Sequence, residues 1–360
     1  MKQLSQIFPV TLIMVMSSTI LAGCSSLSYY HQAAKGHFSL MMATEPVTDW
    51  LAAPGTPEPL KAKLRLSQQA RRFAQERLHL PVGDAFSGYA ELERPWVLVN
   101  LVAVPEFSLK PRQWCYPLIG CQAYRGYYEL DDARAEARLF ADKGYDTFIG
   151  GVTAYSTLGW FDDPLHTGFT RLSGSRMVAL MFHELAHQVV YIDGDTAFNE
   201  SFATSVELEG LRLWLQEQGN TTGFEQALQR LRQRRQTLEL TDRTTAELRQ
   251  LYRQHETLTD TRMRQLKADI FDRLKQDYLA LAEQWDQPGP LGSAPDRLNN
   301  ANLALFRQYN QYVPAFRQLF RDSDQNFKTF YDAVETLARL EAQPRELRLT
   351  ALGKRFHEHL

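Results

Sequence analysis

The chain has 360 residues, 44% of them hydrophobic and 23% charged, which is enough apolar material for a buried core and excludes a disordered or fibrous protein. Forty basic residues against 42 acidic ones leave a formal charge of −2, so no basic surplus is there to hold a polyphosphate and nucleic acid is not expected as a partner. Three cysteines are too few for a disulfide scaffold or a multi-cysteine metal site, so any metal must sit on histidines and carboxylates.

Lys2 precedes an uncharged run from Ile7 to Ala22 whose 16 residues fall short of the roughly 20 that a spanning helix needs, and the run reads as a signal peptide. It closes in Leu21-Ala22-Gly23-Cys24, and small residues before a cysteine resemble the lipobox of bacterial lipoproteins. That resemblance implies removal of residues 1–23 and lipid on Cys24. With Ser25 rather than an aspartate next, it also implies the outer membrane, with the folded part in the periplasm. In that oxidising space Cys115 and Cys121 are candidates for a small disulfide loop, two buried free thiols being the alternative.

From Tyr29 to about Phe86 the pattern is helical, broken by Ala53-Pro54-Gly55-Thr56-Pro57, with a packing helix over Leu60 to Arg77. The β-rich run Trp96 to Val104 is joined by strand candidates at Tyr124–Leu130 and Thr147–Tyr155, which flank a helix at Asp131–Lys143. A small mixed sheet is therefore expected. Ser173 to Val190 carries helical periodicity, with Met177, Leu180, Leu185 and Val189 available to pack inwards.

After Asn199 almost everything reads as helix. From Met263 the apolar residues Leu266, Ile270, Leu274, Tyr278 and Leu281 recur on one face. Arg232, Arg234 and Arg235 form a short basic cluster close to Glu225, Glu239 and Asp242, and read as a solvated helix face rather than a lipid or partner patch. Asp286 to Pro295 breaks the helical pattern before the last section. The expected organisation is a leader at 1–23, N-terminal helices with a small sheet and a metal-binding helix over 24–200, and a helical region over 201–360. The expected fold class is α+β, mainly α-helical.

The chemistry sits in Met181-Phe182-His183-Glu184-Leu185-Ala186-His187-Gln188, an H-E-x-x-H pattern inside the third of these helices. Imidazoles at i and i+4 share a helix face one turn apart, so both can reach one zinc ion. Glu184 lies one step round the helix, where a carboxylate can take a proton from the water that the ion activates. Chance would supply such a pattern on the order of 0.01 times in a chain of this composition. Catalytic zinc takes three protein ligands, and Phe198-Asn199-Glu200-Ser201-Phe202-Ala203 offers Glu200 as the third. Twelve residues separate it from His187, room for one helix to end near Asp193-Gly194-Asp195 and a second to begin. Glu207, seven residues further on, falls on nearly the same face and can support the ligands from behind.

H-E-L-A-H followed by N-E-S-F-A resembles the gluzincin metallopeptidases, and the whole chain resembles a bacterial family described as predicted aminopeptidases, with a looser likeness over Gly150 to Phe161 and Asn299 to Tyr309. The resemblance implies a zincin-like core, one zinc ion on His183, His187 and Glu200, and Glu184 as general base. It also suggests Tyr or His as the oxyanion donor, for which Tyr309 and Tyr155 are the candidates. The gap to Glu200 is shorter than in the best-known gluzincin aminopeptidases, and no G-x-M-E-N segment is present. Gly150 and Gly151, just upstream of the metal helix, are the candidates for pairing with an extended peptide substrate.

The expectation is thus a zinc peptidase, an aminopeptidase by resemblance, acting on periplasmic peptides. Its rivals are a non-catalytic helical envelope lipoprotein with a structural zinc site, and a zinc amidase acting on cell-wall fragments.

Overall fold

The structure, a computed structural model, describes residues 28–116, 120–154, 157, 161–285, 289–292, 295, 298–308 and 311–357. The leader and Cys24 lie outside the described residues, as do Tyr155 and Tyr309. Helix α1 runs through residues 28–42 and is followed by β1 (Thr44–Pro46), α2 (Val47–Ala52), α3 (Glu58–Glu76), β2 (Gly88–Ala90), β3 (Leu98–Pro105), β4 (Trp114–Tyr116), β5 (Gly120–Gln122), β6 (Arg125–Tyr127) and α4 (Leu130–Ala141). Next come β7 (Tyr145–Val152), β8 (Leu165–His166), α5 (Thr167–Thr170), α6 (Gly174–Ala186), α7 (Thr196–Glu217), α8 (Thr221–Tyr252), α9 (Asp260–Ala282), α10 (Asn300–Gln308), α11 (Val313–Asp322), α12 (Phe327–Ala338) and α13 (Ala342–Arg355). The protein is mainly α-helical α+β. Among the described residues no helix is long and apolar enough to cross a membrane.

Three small sheets accompany the helices. In one, β2 pairs antiparallel with β1 and parallel with β8; in the second the order is β6-β3-β7; in the third β4 and β5 form a hairpin in which Cys115 faces Cys121. The two sulfurs are joined as a disulfide. The helical pattern expected up to Phe86, broken at Ala53–Pro57, is also interrupted by β1, because Thr44–Pro46 pairs with β2 across the chain, a contact that local periodicity does not contain.

Helices α6 and α7 are the centre of the molecule. Nine residues of α6 are buried on every side, including Met177, Met181, Phe182 and Leu185, so the helix is enclosed rather than amphipathic. It is also shorter than Ser173–Val190: Ser173 is its N-cap, it ends at Ala186, and residues 187–195 form the link to α7. Phe73 of α3, Phe182 of α6 and Trp214 of α7 meet with ring centroids 5.9, 5.1 and 6.4 Å apart, pairs that add about 0.5–1.5 kcal/mol each beyond their burial. A Cβ at Gly210 would come within 2.7 Å of Leu78 and 3.0 Å of Phe182, so glycine is what lets α7 approach α6 this closely. On the other side of α7, Phe198 and Phe202 pack against Phe316, and Phe202 against Phe330 and Tyr331, fastening α11 and α12.

A second apolar core lies between α8 and α9, built from Leu248, Met263, Ile270, Leu274 and Tyr278, the face expected from the spacing after Met263. The two halves are tied by a polar node. Lys267 Nζ donates to Asp146 Oδ2 (2.7 Å) and to the Glu106 carbonyl (2.9 Å), Asn300 N donates to the same Asp146 oxygen (2.9 Å), and Asn299 Nδ2 donates to the Thr147 carbonyl (3.0 Å). Tyr252 of α8 closes the node by donating to Asn300 Oδ1 at 2.9 Å.

His166 caps α5, its Nδ1 accepting from Gly168 N at 3.1 Å, a role only the neutral ring can play. Burial, helped by the positive Arg94, holds this imidazole down to about 4. The unfolded chain therefore binds the extra proton first, and stability that is complete above pH 6.5 is lost as pH falls towards 4. Denaturation at pH 7.5 and 4.5 is expected to show wild type losing about 2–3 kcal/mol more than His166→Asn, which keeps a capping acceptor without the titration. Equal losses in both proteins would show that the cap does not titrate.

Candidate metal centre

The last turn of α6 and the second turn of α7 put His183, His187 and Glu200 together, with one donor atom from each within 4.8 Å of the others. Glu200 Oε2 lies 3.3 Å from His183 Nε2 and 3.9 Å from His187 Nε2, and the imidazole centroids are 5.0 Å apart. Ligands about 2.1 Å from a tetrahedral zinc stand roughly 3.4 Å from one another, so donors 3.3 and 3.9 Å apart need only small side-chain shifts to close on one such ion.

The link between the helices brings Glu200 into place. Gly194, at φ 75°, turns the chain, and Asp195 caps α7 by accepting from Phe198 N at 3.1 Å. Asn199, the neighbour of Glu200, accepts from Ile192 N (2.9 Å) and donates to Ile192 O (2.8 Å), so its amide stands in for a backbone turn. Asp195 is gripped in turn by Arg345 of α13 at 2.8 Å. The disulfide hairpin presses on the same link: Gly120 has φ 75° and lies so close to Asp193 that a Cβ would collide with its carboxylate. Gln122 donates to the Tyr191 hydroxyl at 3.1 Å.

Glu207 completes the inner cluster. Its Oε2 is 3.1 Å from His183 Nδ1, so the ring donates there, and its Nε2 faces the shared point beside Glu200, where it holds a proton or, once that is displaced, offers a lone pair. Burial would lower the His183 imidazole, but the carboxylates of Glu200 and Glu207 on either side outweigh it and raise it to about 10. Burial lowers His187 to about 4, only partly opposed by Glu200, and its Nδ1 is buried without a partner. Burial also pushes up Glu200 and Glu207, yet their contacts with His183 hold both below the ordinary carboxylate range. The cluster thus collects positive charge at its centre.

Glu184 is not one of the three converging donors and lines the same cleft. Burial pushes its carboxyl up to about 8, against His183 and with the negative Glu200 and Asp163. Asp163 is itself buried; burial raises it to about 6, one oxygen accepts from Thr157 N at 2.7 Å, and the other is unpartnered.

The cleft encloses about 1340 Å³, above the roughly 300–1,000 Å³ of small-molecule pockets. Gly150 and Gly151 line it, at the end of β7, which is an edge strand of its sheet. Tyr124 and Tyr191 line it too, and neither was singled out by sequence spacing. The Tyr124 phenol is held well above its ordinary value by burial and then by Glu200, Tyr191 and Glu184, which places it in the field of both glutamates. Because Tyr124 is some sixty residues upstream, only the β5–β6 turn brings it here, and no local motif marks it. Arg176, a further lining residue, carries no motif either, nor does Asp163, which acts on Glu184 electrostatically.

No curated protein matches the chain, and no solved structure does. A family model described as "Putative aminopeptidase" matches residues 28–349, which takes in the metal cluster, the edge strand and most of the helical region. The chain therefore belongs to the putative aminopeptidase family.

Proposed function

We propose that this protein is a zinc-dependent peptidase with a zincin-like, gluzincin-type core, which removes residues from the free amino end of peptides. It is held at the outer membrane by lipid on Cys24 and faces the periplasm. The observation that carries the reading is the convergence of His183, His187 and Glu200 on one point of a large cleft, with Glu184 beside them. A structural zinc site is usually closed by four protein ligands, whereas three converge here and the place opens onto the cleft. The disulfide between Cys115 and Cys121 is in keeping with an oxidising compartment.

His183, His187 and Glu200 would hold the ion. Bound there, zinc supplies a Lewis acid that polarises the scissile carbonyl and lowers the pKa of water. Glu207 fixes the His183 ring through Nδ1. Glu184 takes the proton of the attacking water and passes it to the leaving amine, its burial keeping it basic enough to hold the proton between the two steps. Tyr124, kept protonated by burial and by the nearby glutamates, donates to the oxygen on which charge develops. An extended substrate lies along the edge of β7 at Gly150 and Gly151.

Glu184→Gln is expected to keep about one zinc per chain and to lower kcat on free-amine peptides by about 10²–10⁴-fold. Loss of zinc together with activity would give Glu184 a structural role, and zinc without hydrolysis of any peptide by wild type would sink the peptidase reading. Glu207→Gln is expected to weaken metal binding by about 10–100-fold in competition with a chromogenic chelator at pH 7. An unchanged affinity would show that His183 needs no support from behind.

A further inference from the structure

One wall of the cleft carries positive charge that no described carboxylate contacts, with Glu207 acting on it only from a distance. Arg176, in the first turn of α6, and Arg230 and Arg234, one turn apart on α8, all line it. Several buried arginines elsewhere pack against acids: Arg317 on Glu209 at 2.8 Å, Arg345 on Asp195 at 2.8 Å, Arg125 on Glu136 at 2.9 Å. Among the described residues none of these three has a carboxylate within 4.0 Å. The acid nearest in effect is Glu207, and it is engaged with His183. Arg230 is half-buried, and both burial and the like charges of Arg176 and Arg234 act against its guanidinium, with Glu207 only partly offsetting them. Arg176 and Arg234 are exposed; three like charges gathered in one concave place repel one another, and an anion joining them relieves that repulsion.

We propose that Arg176, Arg230 and Arg234 form an anion subsite of this cleft, which receives a carboxylate of the substrate. Guanidinium forks bind carboxylates with two parallel hydrogen bonds, and two forks one helical turn apart with a third on the same wall suit that group. The assignment of a peptide as the carrier rests on the function proposed above; the affinity for a carboxylate does not. Arg176 precedes His183 by seven residues, about 10 Å along the helix axis, a distance that about three residues of extended peptide cover. The carboxylate is therefore either the C-terminus of a short peptide or an acidic side chain a few residues beyond the scissile bond.

Calorimetric titration of the full-length Glu184→Gln protein separates these sources without depending on cleavage. Tetra-alanine as free acid is compared with its C-terminal amide, and amidated Ala-Ala-Asp-Ala with amidated Ala-Ala-Asn-Ala. In at least one pair the carboxylate peptide is expected to bind about 10–100-fold more tightly, the first pair identifying a C-terminus and the second a side chain. Adding Arg230→Gln and Arg234→Gln should bring the pair together while leaving the carboxylate-free peptide unchanged, and the corresponding double Lys variant should restore part of the difference. The subsite is overturned if neither pair differs, or if the difference survives the double Gln substitution in protein whose thermal unfolding matches the parent. A preserved binding preference with no hydrolysis by wild type defeats the peptidase reading alone; hydrolysis with no preference defeats the subsite alone.

Discussion

Carboxylates and imidazoles are buried together between α6 and α7, and such a cluster persists in a low-dielectric interior only when its charges balance. Glu200 and Glu207 flank His183 at 3.3 and 3.1 Å, while Glu184 is buried without joining the converging donors. The excess is negative, so the stable arrangement has a cation at the middle. A proton on His183 is one solution and a divalent ion on three ligands is another. The ion satisfies more of the carboxylate charge and leaves the His183 tautomer that Glu207 already selects. The helices around it are arranged accordingly: Gly210 allows α7 to come close, and the Phe73, Phe182 and Trp214 stack resists any slippage that would separate the ligands.

Precision at such a centre depends on the shell that holds it. The link carrying Glu200 is fixed at three points, by the Asn199 clamp on Ile192, by Arg345 on Asp195 and by the disulfide hairpin against Asp193. The strand edge is fixed from elsewhere. Lys267, Asn299 and Asn300 hold Glu106, Asp146 and Thr147, so α9 and α10 fix the start of β7, the strand that carries Gly150 and Gly151 to the cleft. The helical region after α7 thus reaches the site through backbone and side-chain hydrogen bonds to the strand.

What was legible in the sequence was the part of the site with a local period. His183 and His187 are one turn apart, and Glu200 and Glu207 sit two turns apart on one helix, so spacing alone brings each pair to one face. The α9 face from Met263 and the strand at β3 were readable for the same reason. Tyr124, Arg176 and Arg230 were not, because each reaches the cleft through a tertiary crossing with no repeat to announce it. Arg234, within a run of arginines near acids, reads as solvated surface and is exposed; that it also borders the cleft is what the local run does not show. The end of α6 at Ala186 was missed because residues 187–190 keep apolar character for contacts with the core rather than for a helix.

The polarity of the cleft bears on which bond would be cut. Glu200 and Glu207 keep negative charge beside the metal position, and Arg176, about two helical turns from His183, gathers positive charge on the cleft with Arg230 and Arg234. A short peptide with free ends carries the opposite dipole, so in this field its amine is drawn towards the carboxylates and its carboxylate towards the guanidiniums. The bond presented to the metal position is then the one next to the amine. Without a G-x-M-E-N segment to bind the amine, the direction of cleavage can still be set by this field. It would weaken with ionic strength and would count most for substrates short enough to span both poles.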